Sequence, residues 1–278
     1  LADFFASGGT SLQVFRAVAL LQEALGIDSI PATLIHGERN ARHVAAALSE
    51  LLQSADKSTS VAPITARDWP DASRPLSSNQ EQMWLLSRLA GASAYNMPSA
   101  LELDGVLDAA AFQAALNAVA ARHEVLRTRF QRQADGTVVG AVVPVAEFQV
   151  PFAVVEVDSR EEESKVVAAE AAYAFDLEAE PLVRAKIVVR RGWGSGCVLS
   201  LVMHHAVGDA WSQGVFWREF GQAYEAFVAG SSPAWEPLRL QYGDYAAWQR
   251  EQLSGESGEA LRGFWKETLA GAPAMVQL

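Results

Sequence analysis

A polar stretch near the end of the first quarter of the chain limits what this sequence can fold into. Residues 53–71 show no sustained apolar period, and this pattern is typical of a linker. The stretch is punctuated by serines and prolines at Ser54, Ser58, Ser60, Pro63 and Pro70. We therefore predict two domains, over residues 1–52 and 72–278, joined by a linker over residues 53–71.

Composition excludes several classes of protein. Half of the residues are apolar, so the chain has enough material for a core. The 22 basic and 33 acidic residues give a formal net charge of −11, which argues against nucleic acid or an anionic membrane surface as the main ligand. With Cys197 as the single cysteine and no apolar run of roughly 18–20 residues, we expect a cytoplasmic protein. The chain starts without Met, so we expect a piece of a longer protein.

The first domain is predicted to be a small helical bundle. Val14, Val18, Leu21 and Leu25 recur every three or four positions and indicate one face of a helix that begins at Ser11. The apolar run at residues 44–48 predicts a later helix. Two or three short helices in about 50 residues make a marginal core, so we expect this bundle to be truncated at its N-terminal side.

The second domain alternates helix and strand signals. Helices are predicted for residues 108–123, 161–174, 211–228 and 242–269. Strands are predicted for residues 125–130, 136–143, 182–190 and 197–203, and the glycine-rich segment 192–196 predicts a tight return between the last two. The predicted fold class is therefore α+β and multidomain, a helical bundle followed by an α/β domain.

Ser11 admits two roles. Gly8 and Gly9 leave the backbone around it uncrowded, and the free amides of the first helical turn favour an anion such as a phosphodiester. An N-cap is the commonest role of a serine at such a position. The residues alone do not distinguish an attachment site from a cap.

The pair His204-His205, followed by Asp209 and Trp211, is the second candidate site. Neighbouring strand residues point to opposite faces, so only one of the histidines can share a pocket with a given neighbour. Imidazole suits proton transfer near neutral pH, although a purely structural pair is the alternative. The pattern lacks the usual spacing of zinc ligands, so we predict no metal site. His123 lies on the apolar face of its predicted helix and is interpreted as structural.

Several segments together resemble nonribosomal peptide synthetases. Residues 3–12 (Asp-Phe-Phe-Ala-Ser-Gly-Gly-Thr-Ser-Leu) resemble the attachment site of peptidyl carrier domains, and residues 203–212 resemble the His-His-x-x-x-Asp signature of condensation domains. Further condensation-domain motifs are resembled, in the family's order, by residues 76–84, 94–98, 122–130 and 241–250. The resemblance implies a partial carrier domain over residues 1–52, without its first helix, and then the N-terminal lobe of a condensation domain with a chloramphenicol-acetyltransferase-like fold.

The resemblance implies an amide-bond-forming acyltransferase. In this family the carrier holds an acyl or peptidyl thioester on a 4'-phosphopantetheine arm, here on Ser11, and the condensation domain passes it to an amine on a downstream aminoacyl carrier. His205 matches the histidine that positions or deprotonates that amine. The implied partners are a phosphopantetheinyl transferase, the downstream carrier and adjacent adenylation domains.

Supporting roles follow from the same resemblance. His204 and Asp209 are implied to support the loop, and Trp211 is implied as a further structural residue. Arg127, or else Arg122, is implied as the cation that pairs with Asp209.

Three further expectations accompany the resemblance. Two alternatives stay open, namely a carrier followed by a catalytically inert docking lobe, and an epimerisation-type member of the same superfamily. With one lobe only, the excised chain is expected to be inactive. Ala210 stands where the family has glycine, and an alanine held at positive φ costs about 1 kcal/mol or more.

Overall fold

The chain divides near the predicted linker. The computed structural model describes residues 4–5, 7–25, 30, 34, 40–54, 62–89, 93–105, 107–193 and 196–273. Two units separate between Pro63 and Ile64, and we call residues 1–63 unit 1 and residues 64–278 unit 2. Residues 55–61 of the predicted linker lie outside the described residues.

Unit 1 contains helices α1 (Ser11–Leu25) and α2 (Ala41–Ser54). The first begins at the predicted residue, and the second includes the first two residues of the predicted linker. Their apolar faces meet in a small core, whose buried members are Val14, Val18, Ile30 and Leu48. Residues from both helices thus contribute to it. A separate carrier bundle remains a prediction.

Unit 2 combines strands and helices in alternation. Its described strands are β1 (Ser73–Pro75), β2 (Asn96–Leu103), β3 (Thr128–Arg132), β4 (Val138–Val142), β5 (Phe152–Val157), β6 (Val183–Arg190) and β7 (Cys197–His204). Its described helices are α3 (Ser78–Leu89), α4 (Ala109–Arg122), α5 (Arg160–Ala171), α6 (Ala210–Val228), α7 (Tyr242–Gln252) and α8 (Gly255–Thr268). Two 3₁₀ turns lie at Glu124–Arg127 and Val145–Glu147.

The strands form two sheets, and the larger one places the candidate site. Its order is β2-β7-β6-β5, antiparallel except for the parallel pair β5–β6, which α5 connects. The smaller sheet has the order β1-β4-β3 and is antiparallel. Every residue of β7 is buried, as is typical of a strand covered on both faces.

Different helices cover the two faces of β7. Leu199, Leu201 and Met203 pack in the main core with Phe112 of α4 and Phe216 of α6. Val198, on the opposite face, packs in a separate cluster with residues of β5, β6 and α5. The central strand therefore carries neighbouring residues into two different environments, and it ends at His204.

The structure departs from the predicted elements in several places. The predicted strand 125–130 starts as a 3₁₀ turn, in which the Thr128 hydroxyl donates to the Glu124 carbonyl at 2.8 Å, and the strand begins only at Thr128. The predicted helix 242–269 is two helices, because Gly255 adopts a φ of +67° that ends one and starts the next. Strands β1 and β5 were not predicted. Within the ranges described, no helix combines the length and apolar character needed to cross a bilayer.

Candidate active site

The two adjacent histidines have opposite environments. His204 is the last residue of β7 and is fully buried, whereas His205 is exposed and lies on the wall of a cavity of about 660 Å³. The alternation of strand residues produces this difference, because Met203, on the same side as His205, also lines the cavity. One imidazole therefore faces a space that a ligand can occupy, and the other faces the core.

His204 is held neutral and in one tautomer. Its Nδ1 accepts a hydrogen bond from the Ala206 N–H at 3.1 Å, which assigns the ring proton to Nε2. Nε2 is buried and has no hydrogen-bond partner among the described residues. The Phe175 ring lies edge-on to the imidazole, with 6.1 Å between the two ring centroids. Burial, with a further contribution from the charge of His205, lowers the pKa of His204 to about 4. These properties suit a structural residue rather than a proton carrier.

The backbone of His205 is tied to the neighbouring strand segment. Its N–H donates to the Tyr95 carbonyl at 2.8 Å, just before β2 begins. The loop then turns tightly, with the Val207 N–H donating to the His204 carbonyl at 3.1 Å. The imidazole of His205 is thus presented to the cavity from a backbone anchored on the central sheet.

Asp209 caps helix α6. Its Oδ1 accepts from the Ser212 N–H at 2.8 Å and from the Ser212 hydroxyl at 2.7 Å. Desolvation by itself raises the pKa of the Asp209 carboxyl. The hydrogen bonds from Ser212 and the charge of His205 together lower it by more, so the pKa lies below its ordinary value. The carboxylate is ionised at neutral pH and fixes the start of the helix that follows the histidine loop.

Within the described part of the chain, Asp209 makes no ion pair with Arg127 or Arg122, contrary to the expectation. Arg127 is buried and donates from Nη1 to the Val143 carbonyl at 2.6 Å, and its Nη2 lies 3.8 Å from Glu124. Arg122 donates from Nε to Glu219 at 3.3 Å. In the described part of the chain, both guanidinium groups satisfy carboxylate and carbonyl oxygens of their own surroundings, and Ser212 supplies the partner of Asp209.

Two other expectations concern the residues that follow the loop. Trp211 is 45% exposed and its ring lines the cavity, and its role as a structural residue stays a prediction. Ala210 is the first residue of α6 and lies in helical backbone, where alanine is unstrained. The concern about positive φ therefore does not apply to this position.

The contact between His123, on the cavity wall, and Glu219 behind it was not predicted from the sequence. His123 lines the cavity, and its Nε2 lies 2.6 Å from Oε2 of Glu219, which is 7% exposed on α6. Arg122 contacts the other carboxylate oxygen of Glu219. The available signal was Glu219 itself, an acidic residue within the apolar pattern of α6, because a buried charge requires a partner.

The cavity wall is otherwise mostly apolar. Helices α3, α4 and α6, the end of β7 and residues 238–242 contribute to it. Its apolar members are Met83, Val119, Val125, Leu126, Met203, Ala206, Val207, Val215, Phe216, Leu238 and Leu240. No group of three or more metal-ligating side chains occurs among the described residues.

The second candidate site is the start of α1 in unit 1. Thr10 caps this helix: its hydroxyl accepts from the Gln13 N–H at 3.3 Å, and its own N–H donates to the Gln13 side chain at 2.8 Å. Gly8 adopts a φ of +91°, and a Cβ on Gly9 would lie 2.4 Å from the Phe4 ring. The two glycines thus allow a turn that leads directly into Ser11 at the first position of the helix.

The fold and the site define a class of protein. A mixed α/β lobe with an exposed histidine at the end of its central strand, facing a cavity, matches the predicted acyltransferase-like lobe. The Condensation domain family model matches residues 72–278, so the chain belongs to the condensation-domain family of nonribosomal peptide synthetases. The predicted mixed α/β lobe and the predicted family are confirmed.

Individual relatives agree with this assignment. The chain is 37% identical over 282 residues to the dimodular nonribosomal peptide synthase of Bacillus subtilis (strain 168). The matched region covers 99% of this chain but 11% of that protein. The X-domain of teicoplanin biosynthesis, solved in complex with OxyB, is 31% identical with a TM-score of 0.70, over 80% of this chain and 48% of that one. The first condensation domain of the calcium-dependent antibiotic synthetase, with a substrate analogue, is 22% identical with a TM-score of 0.63, over 74% of this chain and 49% of that one, and shows a shared fold.

Proposed function

We propose that this chain takes part in amide-bond formation between carrier-bound substrates, with His205 as the residue that acts on the attacking amine. One observation carries the proposal: His205 is exposed on the cavity wall while His204 is buried directly behind it. An imidazole in this setting can contact a substrate in the cavity. The neutral neighbour beneath it keeps the strand end rigid.

The reaction needs little base catalysis from the protein. Amide formation joins the amine nitrogen to the thioester carbon, breaks the carbon–sulfur bond and leaves the displaced proton with the thiol. An α-amine titrates near pH 7.7–8.0, so a useful fraction of it is already neutral at physiological pH. We therefore assign His205 mainly to holding the amine in line with the carbonyl, which is a large source of rate when both substrates are tethered.

Ser11 is proposed as the attachment point of the 4'-phosphopantetheine arm that presents the thioester. Thr10 already meets the capping requirement of α1, and the first turn holds no acidic side chain, so a phosphodiester there would meet free amides without a repelling charge. The alignment with the Bacillus subtilis synthase covers 99% of this chain and so extends through unit 1. The proposed partners are a phosphopantetheinyl transferase, a downstream aminoacyl carrier and neighbouring adenylation domains.

The carrier assignment is tested by intact mass. The chain is incubated with coenzyme A, Mg²⁺ and a broad-specificity phosphopantetheinyl transferase, in parallel with a Ser11→Ala variant. A mass gain of one phosphopantetheine in the parent chain alone supports the assignment. No gain on a chain shown to be folded, in both this form and one extended at its N-terminus, contradicts it.

The assignment of His205 is tested in the full-length synthetase that contains this chain. We expect His205→Ala to slow peptide formation by about 10²-fold, because the amine is no longer held in line with the thioester carbonyl. A matched control is His43→Ala, which removes an exposed imidazole from α2 of unit 1 and is expected to leave the rate unchanged. An unchanged rate in His205→Ala contradicts the proposed role.

A catalytically inert docking lobe is the second candidate. The likeness to the teicoplanin X-domain, at 31% identity and a TM-score of 0.70, favours it, because that domain was solved bound to the protein OxyB. A docking lobe would bind a protein partner, and it would catalyse no amide-bond formation whether position 205 holds histidine or alanine. Exchange of the substrate α-proton without amide formation would instead indicate the epimerisation type.

A further inference from the structure

Gln80 joins helix α3 to the histidine loop. At the start of α3, its Oε1 accepts from the Ser77 N–H at 3.1 Å, and its own N–H donates to the Ser77 hydroxyl at 3.2 Å. This reciprocal pair is a capping box. Both residues are buried, with Ser77 0% and Gln80 4% exposed.

The other end of the same amide makes a long-range contact. Gln80 Nε2 donates to the carbonyl of Ala206 at 3.2 Å, across 126 residues of sequence. A capping box requires only the acceptor oxygen of the side chain, so this second bond does not serve the helix. It serves the loop that follows His205.

The bond completes the support of the loop around His205. The His205 N–H is bonded to the Tyr95 carbonyl, and the Ala206 N–H is bonded to His204 Nδ1. With Gln80 on the Ala206 carbonyl, three consecutive peptide units are held in place. The bond to Tyr95 joins two backbones, so substitution of a side chain cannot remove it, whereas the bond from Gln80 can be removed without altering β7.

The cap also reaches another part of the cavity wall. The Ser77 hydroxyl lies 3.0 Å from the hydroxyl of Tyr242, the first residue of α7, which lines the cavity. Burial raises the pKa of Tyr242, so its hydroxyl stays protonated and available for this hydrogen bond. The start of α3 therefore contacts both the histidine loop and the opposite segment at Tyr242.

We propose that Gln80 is a positioning residue for His205, and that it acts through the carbonyl of Ala206. The inference rests on the proposed function of His205. It adds a residue on a separate helix whose side-chain amide sets the direction of the imidazole in the cavity.

The substitution Gln80→Glu separates this role from helix capping. A glutamate has the same shape and keeps the acceptor for the Ser77 N–H, but it loses the donor and places a carboxylate oxygen against the Ala206 carbonyl. The matched control is Gln249→Glu. The Gln249 side chain also accepts from the start of α3, at the Ser78 N–H (2.9 Å), but its amide donates to the Tyr245 hydroxyl instead of the loop.

The test has one structural and one kinetic measurement. In the full-length protein, we expect Q80E to lower kcat for amide formation by about 10–100-fold while KM for the acceptor stays within about twofold, and Q249E to leave both unchanged. In this chain, labelled with ¹⁵N, Q80E should speed hydrogen exchange of the Ala206 amide, and Q249E should not. Equal behaviour of the two variants in both measurements overturns the proposal.

Two further outcomes keep the test decisive. If native protein forms no amide bond, the proposed function fails, but exchange of the Ala206 amide still decides whether Gln80 holds the loop. If Q80E does not fold, Ser77→Ala removes the cap while leaving the amide of Gln80 in place. Faster Ala206 exchange in that variant would mean that the cap governs the loop, and would overturn the proposal.

Discussion

Ser11 is the first residue of helix α1, and His205 lies in the loop before helix α6, but these two proposed functional residues depend on structure over different ranges. At α1, the cap joins Thr10 and Gln13, three residues apart, and Phe4 covers Gly9 from within the same segment. Around His205, the supporting bonds come from Tyr95 on the neighbouring strand segment and from Gln80 on α3. The first site is local, and the second is assembled by the tertiary fold.

This difference has a consequence for robustness. A local site needs only one helical turn to form, so its chemistry tolerates damage elsewhere in the chain. A site assembled from distant residues is lost when the core that brings them together is lost.

Damage to the core of unit 2 is expected to leave the Ser11 site intact. Phe112 is 1% exposed and contacts the rings of Phe152 and Phe220, with centroids 5.0 and 4.7 Å away, so Phe112→Ala should lower the free energy of unfolding of unit 2 by about 3–5 kcal/mol. Urea denaturation measures the stability of unit 2. In the same urea series, intact mass measures the loading of Ser11 with phosphopantetheine. Loading should persist at denaturant concentrations that unfold the variant's unit 2.

An exposed phenylalanine provides the control for this prediction. Phe264 on α8 is 58% exposed, so Phe264→Ala should change stability by less than about 0.5 kcal/mol. If Phe112→Ala abolishes loading together with folding of unit 2, the Ser11 site is not local and the contrast fails.

The buried histidine is expected to make unit 2 acid-sensitive. The pKa of His204 is about 4 in the fold and about 6.5 in an unfolded chain, so the unfolded state binds the proton first. Stability from this group is complete above about pH 6.5 and falls as the pH drops toward 4, with a total loss of about 3 kcal/mol. Thermal unfolding between pH 7.5 and 4 in the parent and in His204→Asn measures it.

Carboxylates also titrate in acid, and they are the same in the parent and in His204→Asn. The difference between the two pH profiles therefore gives the contribution of His204 to stability. The parent should lose more stability than His204→Asn over this interval. Parallel pH profiles for the two would show that His204 is not buried as a neutral group.

Removing the cap of α6 is expected to have a moderate effect. Asp209→Ala should destabilise unit 2 by about 1 kcal/mol, because Ser212 loses its acceptor, and Asp209→Asn should retain most of the stability. Chemical denaturation measures both variants. A loss of about 3–5 kcal/mol in either would instead indicate a buried ion pair with an arginine, contrary to the structure.

The smallest expected effect distinguishes the two hydroxyls at the start of α1. Thr10→Ala should destabilise unit 1 by about 1 kcal/mol, and Thr10→Ser should restore it, because the threonine hydroxyl caps the helix. Ser11→Ala should change stability by less than about 0.5 kcal/mol while abolishing loading. Circular dichroism during thermal unfolding separates these variants. A larger loss for Ser11→Ala than for Thr10→Ala would make Ser11 the cap after all.

Much of the fold was predictable because its signals are local. The period of three to four residues identified α1, α4 and α6. Asp108, the first residue of the predicted helix 108–123, caps α4 and accepts from the N–H groups of Ala110 and Ala111 at 2.9 Å. The strands β6 and β7 followed from runs rich in valine, isoleucine and leucine, residues that favour strands when a turn signal separates them. Strand β5 did not, because it pairs only with β6 at the edge of the sheet, and its neighbour is brought there by the α5 crossover.

The candidate site divides in the same way. Alternation along β7 was sufficient to predict that His204 and His205 face different surroundings, since the direction of a strand side chain depends only on its place in the strand. The contact of Asp209 with Ser212 is local, because it is the N-cap of α6 and joins residues three apart. The bond from the Gln80 amide to the histidine loop could not be predicted from spacing. It joins residues 126 apart in sequence, and it forms because the packing of α3 brings its start within 3.2 Å of the Ala206 carbonyl.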